Sequence, residues 1–130
     1  MTRINGILIP LPTIFRDSGE VDHDGIRALI EFYVKAGVHG LFVLGTFGHG
    51  PALSPEERKQ VASTVMKTVD GRVPTVIHVG CADTPTTIEL AKDAVDKGAD
   101  SIAVIPPYYF EHNRCCYHSS NIICIIFCRH

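Results

Sequence analysis

Three short apolar runs set the limits on this fold. "GLFVLG" (Gly40–Gly45), "PTVIHVG" (Pro74–Gly80) and "SIAVIP" (Ser101–Pro106) read as apolar on both faces rather than alternating. Strands of that kind belong to parallel sheets covered by helices. Parallel neighbours need a long crossover, usually a helix, and helical segments fill the intervals. From Asp24 to Ala36, Ile26, Leu29, Ile30 and Tyr33 repeat at the spacing of one helical face, and Gly37 supplies the stop. "SPEE" opens the next helix, with Ser54 as cap, Pro55 at the first helical position and Glu57 completing a capping box. Val61, Val65 and Val69 follow as one stripe, ending at Gly71. "TPTT" opens a third, with Thr84 expected as the cap, Ile88, Ala91 and Val95 facing inward, and Gly98 ending it.

A fourth strand lies ahead of these. "INGILIPLPTIF" (Ile4–Phe15) is apolar and β-prone, but Pro10 and Pro12 push it to an edge or a bend. "AGVHGLFVLG" (Ala36–Gly45) and "KGADSIAVIP" (Lys97–Pro106) repeat one design of helix end, glycine, turn and buried strand. Repetition of a unit of about 30 residues is the mark of a βαβ series. The residues before Phe110 therefore predict four parallel strands and three helices.

Totals exclude several functions. The net charge is −2, so no basic field recommends nucleic acid. The longest apolar run, Ile122–Cys128, is far shorter than the roughly 20 residues of a membrane-spanning helix. No N-terminal stretch joins basic residues to a long apolar run, and Cys81 is the one cysteine before Phe110. Both observations lead to the expectation of a cytoplasmic protein without a disulfide framework.

"GTFGHGPALSPEER" (Gly45–Arg58) carries the most chemistry. It leaves the C-terminal end of the second strand, where ligands of α/β folds bind. Gly45, Gly48 and Gly50 allow sharp turns that expose amides, and with the Thr46 hydroxyl they suit a carboxylate or phosphate. A tight connection that binds nothing satisfies the same spacing. The glycines match neither the dinucleotide fingerprint nor the P-loop. His49 and His78 offer either proton carriers or two metal ligands, short of the third that zinc needs. The plainer alternative is an exposed loop histidine and a hydrogen-bonded strand histidine.

"PTIFRDSGEVDHDGIRALIEFYVKAGVHGLFVLGTFGHGPALSPEERKQV", "HVGCADT", "IELA" and "GADSIAVIPPYYF" together resemble the dihydrodipicolinate synthase and N-acetylneuraminate lyase family from about Ile4 to His112. The resemblance implies the N-terminal half of a (β/α)8 TIM barrel, and a lyase or aldolase that forms a Schiff base with pyruvate or a related 2-oxo acid. It implies no metal and no cofactor. It implies that Gly45, Thr46, Phe47 and Gly48 bind the substrate carboxylate, and that Tyr109 joins a proton relay. Phe47 stands where the family has a second loop threonine, which turns expectation from dihydrodipicolinate synthesis toward a related aldolase or hydratase. His49 stands where the family has a glutamate.

The chain departs further near its end. Lys35, Lys59, Lys67, Lys92 and Lys97 all fall in predicted helices or helix ends, so none is placed as the Schiff-base amine at a strand end. Residues 113–130 hold four of the five cysteines. The spacing of Cys115, Cys116, His118, Cys124, Cys128 and His130 fits no standard zinc knuckle. The expectation is a partial barrel domain over residues 1–112 and an unrelated, replaced tail over 113–130. Inactivity of this chain alone follows. An alternative is a non-catalytic half-barrel that associates with itself or with a full-length homologue. "NIICIIFC" (Asn121–Cys128) and unpaired first and fourth strands favour association, unless the tail folds back over one edge.

Overall fold

The computed structural model describes residues 4–105 and the backbone of a strand at Cys124–Phe127. Four parallel strands, β1 (Leu8–Leu11), β2 (Gly40–Val43), β3 (Thr75–His78) and β4 (Ser101–Val104), alternate with helices α1 (His23–Lys35), α2 (Pro55–Val69) and α3 (Thr84–Asp96). This is the predicted α/β half-barrel. A further strand, β5 (Cys124–Phe127), pairs antiparallel with β4, so the sheet order is β1-β2-β3-β4-β5. The sequence left two partners open for the β4 edge; the tail of the same chain occupies it. Pro10 sits in β1, at the end of the sheet, the kind of edge strand to which proline is confined.

Register sorts the side chains into two faces. Leu11, Val43, Ile77 and Ile102 point toward the helices and meet Ile26, Ile30, Val61, Val65, Val69, Leu90 and Ala94 in one core. Phe42, Val76 and Ser101 are register partners on the opposite face, and His78 is paired with Ala103 there. Val76, Ser101 and Ala103 are fully buried, so the central strands are covered on both sides as their composition requires.

The helices begin as their caps dictate. The Ser54 hydroxyl accepts from the Glu57 amide at 3.3 Å, and the Glu57 carboxylate accepts from the Ser54 amide at 2.8 Å. Asp22 caps α1 by accepting from the Asp24 amide. At α3 the sequence reading needs two corrections. Asp83 is the cap, accepting from the Thr86 amide at 2.9 Å, and Thr84 is already helical. Leu90 and Ala94 are the buried residues, while Ile88 and Val95 are 49% and 37% exposed and Ala91 only packs against the core's margin. Two apolar stripes overlap on this helix, offset by one residue or about 100°, and the sheet takes the one that brings in Leu90.

Candidate anion-binding loop and its buried floor

The loop after β2 is held by its own backbone. Leu44 (φ 61°) and His49 (φ 54°) adopt left-handed conformations uncommon for residues with a side chain. The Gly50 amide donates to the Gly45 carbonyl at 3.1 Å, and the His49 amide to the Thr46 carbonyl at 3.1 Å. Two glycines are required by close approach. A Cβ on Gly50 would lie 1.8 Å from the Leu44 carbonyl oxygen, and one on Gly48 would lie 2.9 Å from the Leu11 carbonyl oxygen. The buried Thr13 hydroxyl donates to the Gly48 carbonyl at 2.6 Å, fastening the loop to the end of β1.

These bonds leave part of the loop open. Among the described residues, the amides of Thr46, Phe47 and Gly48 meet no acceptor. Thr46 is exposed, Phe47 is 61% exposed and Gly48 is buried beneath them. An exposed turn with free amides can take up an anionic oxygen. The structure thus brings Gly45, Thr46, Phe47 and Gly48 together; Tyr109 lies outside the described residues.

A buried layer supports the loop. Arg58, on α2, is 2% exposed and has no carboxylate partner among the described residues. Its guanidinium donates to the carbonyls of His78 (2.8 Å) and Gly80 (3.2 Å) and lies 2.8 Å from the Cys81 Sγ. Arg58 thereby ties α2 to the end of β3. Sequence reading missed both Thr13 and Arg58. A signal for Arg58 existed, because it lies three residues before Val61 and seven before Val65, on the buried stripe of α2.

The two histidines part company. His49 is exposed and stands edge-on to Phe15, ring centres 5.9 Å apart. His78 is 3% exposed, but neither ring nitrogen has a hydrogen-bond partner among the described residues, contrary to the hydrogen-bonded strand histidine expected. Burial pushes its pKa down to about 4. The Arg58 charge adds to the shift and the nearby Leu44 carbonyl offsets a little of it. No group of three or more His, Cys, Asp or Glu side chains fit for a metal occurs among the described residues. No helix among them is long and apolar enough to cross a membrane. Lys35, Lys59, Lys67 and Lys92 lie on helices and Lys97 caps α3; Lys59 pairs with Glu89 and Lys97 with Asp93.

Comparison with known proteins agrees with this architecture. The model of the dihydrodipicolinate synthetase family matches residues 3–124, beyond His112, where the resemblance read from the sequence stops. YagE of Escherichia coli K12, a prophage protein of the dihydrodipicolinic acid synthase family solved with pyruvate, superposes with a TM-score of 0.80 at 45% identity, covering 83% of this chain and 36% of YagE. The 4-hydroxy-tetrahydrodipicolinate synthase of Kosmotoga olearia is 41% identical over 69% of this chain and 31% of its own length. The sialic acid aldolase of Ruminococcus gnavus superposes with a TM-score of 0.81 at 35% identity, over 84% of this chain and 36% of its own. The chain spans about a third of the length of these relatives. Its strand order, its glycine loop and this likeness make it a member of the dihydrodipicolinate synthetase family.

Proposed function

We propose that this chain supplies the carboxylate-binding part of a lyase or aldolase site that handles pyruvate or a related small 2-oxo acid. The observation that carries the reading is the loop of Gly45, Thr46, Phe47 and Gly48, braced by Thr13, with three amides that meet no acceptor among the described residues. Pyruvate bound to YagE supports the ligand class. The exposed phenyl ring of Phe47 has no proton to pass, which favours an aldolase or hydratase over dihydrodipicolinate synthesis. Tyr109 is the proposed relay residue. The described residues place no lysine at a strand end, so the 130-residue chain alone is expected to bind without forming an imine. No metal or cofactor enters this reading.

Titrating pyruvate into the labelled chain tests it. The amides of Thr46, Phe47 and Gly48 should shift together and saturate; a folded sample with none of these shifts would sink the proposal. Borohydride treatment with pyruvate should leave the protein mass unchanged.

One observation favours a second reading, a non-catalytic half-barrel that associates with itself or with a longer homologue. Phe32 on α1 is 64% exposed, and Ile88 and Val95 on α3 are also exposed. The outer flanks of both terminal helices thus carry uncovered apolar groups. A soluble monomer at every concentration tested by light scattering would exclude self-association.

A further inference from the structure

His78 lies directly under the proposed site. Val43 pairs with Ile77 in register, which sets Leu44 level with His78 at the mouth end of the sheet. The Phe42 ring lies close to both the start of the loop and His78. Its Cε1 is 2.5 Å from where a Gly45 Cβ would be, and its centre is 6.4 Å from that of the His78 ring. On the other side, a Cβ at Gly80 would lie 3.1 Å from Nε2 and Cε1 of His78. The ring is therefore held between a glycine and an aromatic, and apart from the nearby Leu44 carbonyl, which does not reach hydrogen-bond geometry, its nitrogens have no partner among the described residues.

Ser101 repeats the pattern. It is fully buried on the same sheet face, and its hydroxyl also has no partner among the described residues. Buried polar side chains are nearly always hydrogen-bonded, and exceptions call for an explanation. His78 stands level with Leu44, where the loop begins, and has one: a polar molecule belongs there, whereas Ser101 lies on the same face but two residues farther from the loop, at the start of β4. Burial first, and the Arg58 charge second, oppose protonation of the ring, so His78 is neutral, one nitrogen a donor and the other an acceptor. Phe42 is only half-buried, and a ligand that reached from the loop to the ring would have to displace it.

We propose that His78 is a ligand-contact residue, donating a ring N–H to an oxygen of the small 2-oxo acid whose carboxylate the loop holds. This rests on the carboxylate reading of the loop, and the test separates the two. Long-range proton–nitrogen spectra of the labelled 130-residue chain report the His78 ring, assigned with His78→Gln. Added pyruvate should move the ring nitrogens with the same midpoint as the Thr46 and Gly48 amides. His78→Phe should weaken binding about tenfold, the size of one lost hydrogen bond, and His78→Gln, which keeps a donor, should weaken it less. If the loop amides move and the ring does not, His78 is no contact and the loop reading stands. Equal affinity in a folded His78→Phe chain would likewise exclude the contact and spare the loop. If neither loop nor ring responds in a folded sample, both proposals fall. Should His78→Phe not fold, the ring signals of the unaltered chain decide.

Discussion

Gly50 is the position where a single methyl group does the most harm. A Cβ there would overlap the Leu44 carbonyl oxygen, and backbone cannot move aside as a side chain can. Gly50→Ala should destabilise the chain by about 3 kcal/mol or more and abolish the shared pyruvate response of the loop, as urea unfolding and amide spectra would record. His78 gives a pH signature. The unfolded chain protonates this histidine near its ordinary value, about 6.5, whereas the folded one resists until about 4. Between those values the unfolded state binds more protons, so stability falls as pH drops through the window and levels off below it. The loss should be on the order of 2 kcal/mol between pH 7 and pH 5. His78→Gln should remove that slope when urea midpoints are compared. The glycines were legible because turn chemistry is local. The unpartnered state of His78 was not, since the same residues fit a hydrogen-bonded ring, and only packing against Phe42 and Gly80 decides between them.

The helices divide by how local their signals are. α2 was legible to its first residue, because the Ser54–Glu57 capping box forms within four consecutive positions. Ser54→Ala should cost about 1 kcal/mol and lower the melting temperature without changing the fold seen by circular dichroism. At α3 the cap fell on Asp83 rather than Thr84 because a carboxylate one residue upstream reaches the Thr86 amide. The buried face also shifted, since two apolar stripes of equal spacing compete and the sheet alone selects. Arg58 shows the converse: its place on a buried stripe was readable, but its partners, the carbonyls of His78 and Gly80, lie twenty or more residues away in the chain.

At the scale of the whole molecule, four parallel strands and three helices followed from apolar runs and helical periodicity. The direction of β5 did not. A short β-prone segment does not encode whether it pairs parallel or antiparallel; the free edge of β4 and the connecting chain determine that. Because β5 occupies this edge, a chain cut after His112 should associate more strongly than the 130-residue chain. Light scattering at matched concentrations checks it, and identical behaviour of the two would count against β5 as an edge cover. The sheet order has one more consequence. Spatial order equals chain order, so β3 has two strands on either side and all four of its residues are buried, whereas β1, at one end of the sheet, has one buried residue of four. Amide hydrogens should therefore exchange with deuterium slowest in Thr75–His78 and progressively faster outward. The slowest-opening hydrogens would then lie in the strand that ends at His78, beneath the glycine loop.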